Sequence, residues 1–128
     1  MKFSVGKTNS LKSLVMSLLC SDVITHTMHL QTPSYAEHVA LGEFYDEISD
    51  LVDAFVETYQ GKYGILNDYP QMTAIPTDEP IAYLKALGEE VERVRRNSDF
   101  PQDTELQNEM DNIANLINRT LYKLRFLN

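Results

Sequence analysis

The chain has little with which to cross-link, interrupt or positively charge itself. Cysteine is the first scarcity: Cys20 is the only one among 128 residues. A single thiol excludes an internal disulfide, and no C-x-x-C pair is present to start a zinc ribbon. That usage fits a reducing compartment, so a cytoplasmic location is expected. Glycine and proline are also few, at five each. They gather between Gly61 and Pro80 and again at Pro101, which leaves room for long uninterrupted elements. No apolar run approaches the ~18 residues that a bilayer-spanning helix needs, so no membrane partner is expected. The stretch Leu14 to Cys20 lacks a small-residue cleavage site and reads as a buried helix face rather than a signal core. Basic residues are short as well, with 11 Lys and Arg against 19 Asp and Glu and a net charge of -8. An acidic surface repels phosphate, so nucleic acid is not an expected partner. Two local basic groups, Lys2, Lys7 and Lys12, and Arg93, Arg95 and Arg96, read as solvated helix ends and faces.

What is present is helical periodicity. One domain over residues 1–128 is expected, long enough to bury a core without staples. Leu11, Leu14, Val15 and Leu18 recur at three- and four-residue steps, which predicts a helix from about Ser10 to Leu30. Pro33 ends it. Ser34 and Glu37 form an S-x-x-E capping box that opens a second helix to about Gln60, with Gly61 as its stop. Phe44, Ile48, Leu51 and Phe55 share its apolar face. Gly61 to Pro76 is irregular, and its Tyr63, Ile65, Tyr69 and Met72 are expected to pack on the rest. Thr77-Asp78-Glu79-Pro80 starts a third helix ending near Arg96. Asp103 opens a fourth, striped by Leu106, Met110, Ile113, Ile117, Leu121 and Leu124. No strand pattern competes. Short links between the first and second and between the third and fourth helices predict an all-α, antiparallel four-helix bundle.

The chemistry-bearing residues are concentrated in the first half. All three histidines, His26, His29 and His38, lie there. Along the second helix Asp46, Asp50, Asp53 and Glu57 step by four, three and four. On a helical wheel this acidic stripe lies opposite the Phe44–Phe55 face. Such a stripe is ordinarily a solvated face, and a histidine beside an apolar face is ordinarily a hydrogen-bonded core residue. Imidazole and carboxylate are also the usual ligands of iron, manganese and zinc.

The spacing of four of these residues resembles the Dps-type mini-ferritins of the ferritin-like superfamily. His38 follows His26 by twelve residues, Asp53 follows by fifteen more, and Glu57 by four. Tyr35 and Phe44 match aromatic positions of the same pattern. The resemblance covers about Ser17 to Gly61. It implies a ferritin-like bundle with His26 and His38 of one subunit facing Asp53 and Glu57 of another. It also implies iron, or another divalent metal such as manganese or zinc, and a homo-oligomer that is a dimer, a larger assembly or a shell. The implied activity is ferroxidase-type oxidation of Fe(II) by peroxide or oxygen, followed by storage. The wheel agrees, because it turns Asp53 and Glu57 away from their own core. The chain has Thr27 where the family has tryptophan, and Gly42 where it has a further aspartate. Glu43 is therefore a candidate substitute ligand, and His29 a candidate supporting residue. A weaker resemblance links the T-x-S-Y-A-x-H segment to short tailed-phage proteins.

Two other readings stand beside this one. A non-enzymatic helical interaction protein of phage type could keep the bundle and a degenerate site. A MazG-like, Mg²⁺-dependent nucleotide pyrophosphohydrolase would use carboxylate density such as Glu43, Asp46, Glu47 and Asp50, which suits a hard cation. The second half of its usual E-x-x-D clamp is absent after Asp50.

Overall fold

The computed structural model describes residues 5–71 and 77–128, with side chains from Asn9 onward. Lys2, Met72 and Pro76, and the Lys7 side chain, lie outside the described residues. Four helices follow in order: α1 (Val5–Gln31), α2 (Tyr35–Tyr63), α3 (Pro80–Arg95) and α4 (Thr104–Phe126). No strand occurs among the described residues. Also among them, no helix is long and apolar enough to cross a membrane.

Helix ends follow local chemistry. The Ser34 side chain accepts from the Glu37 N–H, satisfying one orphan donor of α2. Glu79 caps α3 by accepting from the N–H groups of Ile81 and Ala82, with Pro80 at the first helical position. Two expected boundaries move. α1 begins at Val5 rather than Ser10. α2 runs through Gly61 to Tyr63 and stops at Gly64. The reason is conformational: Gly64 holds φ +98°, a value that L side chains rarely adopt, and its N–H closes on the Gln60 carbonyl.

The helices pack as a square. α1 lies beside α2 and α3, and α4 lies beside α2 and α3, with α1–α4 and α2–α3 as diagonals. Lys62 pairs with Asp103 at one end of α2, while Lys123 reaches Glu43 and Arg119 reaches Glu47 at the other. α2 and α4 are therefore antiparallel. The bond from Ser17 on α1 to Glu90 on α3 sets the level of that pair. Because α3 and α4 are joined by a short turn, α2 and α3 run the same way. The end of α2 and the start of α3 therefore lie about 30 Å apart along the bundle, at 1.5 Å per helical residue. Leu66 is buried and Tyr69 packs on the core, whereas Tyr63 and Ile65 are exposed.

The core is mainly apolar, with Phe44, Phe55, Leu14, Leu18, Ile48, Leu84, Met110 and Ile113 fully enclosed. Its few buried hydroxyls bond back to carbonyls of their own helix: Ser21 to Leu18, Thr25 to Ser21 and Thr120 to Leu116. The expected basic cluster at the end of α3 divides. Arg96 is exposed, but Arg95 is largely covered and bonds Gln107 and Asp111 of α4. The Gln107 amide in turn donates to the Arg95 and Pro101 carbonyls, which shapes the α3–α4 turn.

Candidate metal centre

The histidines sit where α1 gives way to α2. His26 is exposed and stacks on Tyr45 of α2, ring centroids 4.1 Å apart. His29, one turn on, is half-buried and stacks on His38 at 3.5 Å. His29 also meets His26 and Tyr45 edge-on, at 5.9 and 5.2 Å. Tyr35 extends the column beside His38 at 6.4 Å. Sequence reasoning missed Tyr45, although it follows His38 by seven residues and so shares its helix face. It also missed the bond from Ser49 to the Asp22 carboxylate at 2.5 Å, which ties the two helices one turn further along.

Asp53 and Glu57 are exposed, as are Asp46 and Asp50, on the side of α2 opposite Phe44 and Phe55. Within one chain they lie far from the histidines. Asp53 is fifteen residues beyond His38, about 22 Å along α2. His26 is level with Tyr45, which leaves it about 12 Å short of Asp53 along the axis. Among the described residues, no group of three or more His, Cys, Asp or Glu side chains of one chain is close enough to hold a metal.

Glu43 is turned elsewhere. Its carboxylate accepts from Lys123 of α4 at 3.1 Å, and Glu47 beside it pairs with Arg119 at 3.3 Å. Glu43 and Glu47 thus face α4 while Asp46 and Asp50 face solvent, so the acidic residues of this segment diverge. Gly42 has a specific neighbour. A Cβ at that position would stand 3.2 Å from His29 Cε1 and 3.3 Å from His29 Nδ1. A side chain at residue 42 would require the His29 ring to give by a few tenths of an ångström.

The exposed face of α1 is unlike an ordinary solvated face. Leu19, Val23, His26 and Leu30 step by four, three and four, and all four are exposed. Val23 is 61% exposed and Leu30 70%, with Leu19 also exposed. This is a seam of coiled-coil spacing, with His26 in line. On the inner side, burial raises the Cys20 thiol above its ordinary value, which makes it a poor nucleophile.

Comparison with known proteins adds two similarities. A family described as of unknown function, DUF5856, matches residues 29–124. An Enterobacteria phage T4 protein, named "Uncharacterized 14.6 kDa protein in mobD-ri intergenic region", is 33% identical over 84 residues, covering 61% of this chain. The match spans 66% of the phage protein, a little under two thirds of its length. No solved structure matches. The family match takes in α2, α3 and most of α4, from His29 onward, and on that extent the chain belongs to the DUF5856 family.

Proposed function

We propose that the protein binds iron, or another divalent metal such as manganese or zinc, at a site completed between two copies of the chain. His26 and His38 of one copy meet Asp53 and Glu57 of the other, as in a mini-ferritin. One observation carries the reading. Exposed His26, with half-buried His38 beside it at the α1–α2 contact, and the exposed pair Asp53 and Glu57 lie at levels on either side of Val23, in the middle of the exposed apolar seam. The contacts His26–Tyr45 and Asp22–Ser49 place Val23 level with about Ile48. That is close to halfway between the two pairs. A two-fold axis through Val23 would bury the seam against itself and bring each histidine pair to a carboxylate pair.

The donor set fits the metal. Two neutral imidazoles and two carboxylates offer nitrogen and oxygen to a divalent ion and balance its charge. A ferritin-like bundle also fits, since such folds join two of their helices by one long crossover, and here α2 and α3, successive in the chain, run the same way. The metal would supply redox chemistry, taking Fe(II) to Fe(III) with peroxide or oxygen. The chain supplies ligands, their orientation and a seam that excludes water. The same reading places the protein in the cytoplasm, the host's if the chain is phage-encoded like its relative.

Anaerobic Fe(II) titration with light scattering tests this. The expected result is saturable uptake by a species of at least two chains. Asp53→Asn with Glu57→Gln should abolish uptake without changing helicity. A single-chain mass with no uptake overturns the proposal. The non-enzymatic interaction protein is favoured by one observation, the His29 ring crowding the place of a side chain at Gly42. A stable oligomer without uptake would select it. The pyrophosphohydrolase reading gains nothing from carboxylates that diverge.

A further inference from the structure

The carbonyl of His29 lacks an intrahelical partner for a reason written in the sequence. Its partner would be the N–H four residues on, and that residue is Pro33, which has none. The preceding carbonyl, of Met28, is closed by the Thr32 N–H at 3.1 Å. His38 reaches across from α2 and donates from Nδ1 to the His29 carbonyl at 2.8 Å. A carbonyl only accepts, so His38 Nδ1 must carry the hydrogen. In the neutral ring the lone pair then sits on Nε2. The arrangement is reciprocal, because His29 Nδ1 donates to the His38 carbonyl at 2.5 Å. The rings are near parallel, at 19°. Gly42 leaves room for the His29 ring, which a Cβ would crowd.

We infer that Pro33, by leaving the His29 carbonyl open, sets the ring state of His38, holding it as the Nδ1–H tautomer with Nε2 offered as a donor to a divalent metal. The use of that donor rests on the metal reading above; the tautomer does not. His29 is a positioning residue and not a ligand. Its ring plane is stacked on that of His38, and in-plane lone pairs of stacked rings do not converge on one ion.

Long-range ¹⁵N–¹H correlation spectra of the metal-free full chain in alkaline buffer read the tautomer directly. His29 and His38 should both show the Nδ1–H form. Pro33→Ala restores an N–H that competes for the His29 carbonyl and should move His38 toward the Nε2–H form. It should also weaken Co²⁺ binding by about 10–100-fold, the usual consequence of losing a ligand's hydrogen-bond partner. Gly42→Ala meets only the His29 ring and leaves that carbonyl in place, so His38 should keep the Nδ1–H form. An Nε2–H signature for His38 in the unaltered chain overturns the inference. So does an unchanged tautomer in Pro33→Ala, with helicity checked by circular dichroism. If the unaltered chain shows the Nδ1–H form and Pro33→Ala shifts it, yet neither binds Co²⁺, the positioning device stands and the metal reading falls.

Discussion

α1 and α4 are both long helices of the same bundle, yet they distribute apolar residues differently. α4 places Leu106, Met110, Ile113, Leu116, Ile117 and Leu124 inside. It exposes Asn108, Asp111, Asn112, Asn115 and Asn118 on the other side. Only its last turn departs, with Tyr122 and Phe126 exposed. α1 buries Leu11, Leu14, Leu18, Ile24 and Met28 and still exposes Leu19, Val23 and Leu30. A helix apolar on one side is satisfied by its own bundle; one apolar on two sides has a second surface to bury. Each fully exposed Val or Leu side chain forgoes roughly 1.5–3 kcal/mol of burial. The contrast sets His26 of α1 in line with an apolar seam, while the polar side chains of α4 read as ordinary surface.

The largest effects should come from the inner faces, where the two helices are alike. Leu14→Ala on α1 and Ile113→Ala on α4 each remove a fully enclosed side chain. Both should cost about 2–5 kcal/mol in urea unfolding, from lost transfer energy plus the cavity left behind. A cheap Leu14→Ala would mean that α1 docks loosely and would break the comparison at its base.

The outer faces should separate them. Val23→Ser is expected to change the unfolding free energy of the isolated chain by less than about 0.5 kcal/mol, as surface changes do. It should nevertheless reduce the mass seen by light scattering to that of one chain. Asn112→Ser at an exposed position of α4 should alter neither. If Val23→Ser leaves the mass unchanged, the seam is not the self-association surface.

The sequence made the bundle legible because its signals were redundant. Pro33, the Ser34 cap, the Glu79-Pro80 start and the Phe44–Phe55 stripe each pointed to the same helices. Gly61 misled because a glycine was read as a stop from position alone. A mid-helix glycine costs only about 1 kcal/mol relative to alanine, and the positive φ falls three residues later, at Gly64. Arg95 misled for a related reason: charge suggests solvent, but a guanidinium can be covered when Gln107 and Asp111 supply acceptors. At the candidate site, residue types and spacing were visible, as was the outward direction of Asp53 and Glu57. The His29–His38 clasp was not, because it depends on one helix's orphan carbonyl meeting the side chain of another. Pro33 was the available clue, at the position where the missing N–H should have been.

The smallest expected effects compare two acidic residues at contacts of α3 and α4, and their signs are opposite. Glu90 is half-buried between α3 and α1. Burial pushes its carboxyl above the usual range, partly offset by the Ser17 hydroxyl and Arg93. A raised folded-state value means that its contribution to stability is present below the ordinary carboxylate range and is lost as pH rises through the raised value. Above that, a charged carboxylate is held where it is poorly hydrated. Glu90→Gln should therefore stabilise the chain at neutral pH, by less than about 1 kcal/mol after allowing for its partial exposure, and should have little effect in acid. Asp103 at the start of α4 is the reverse case. Hydrogen bonds from Lys62 and Tyr63 hold its carboxyl below the usual range. Its contribution is present above the ordinary carboxylate range and is lost as pH falls through the depressed value. Asp103→Asn should destabilise the chain at neutral pH and have little effect in strong acid. Urea midpoints measured across the acid range should show the two variants departing from the parent in opposite directions at neutrality and converging as the carboxyls protonate. Departures of the same sign would mean that the Glu90 carboxylate is stabilised by α1 rather than strained against it, and the α1–α3 contact would then resemble the α2–α4 contact more closely than its burial implies.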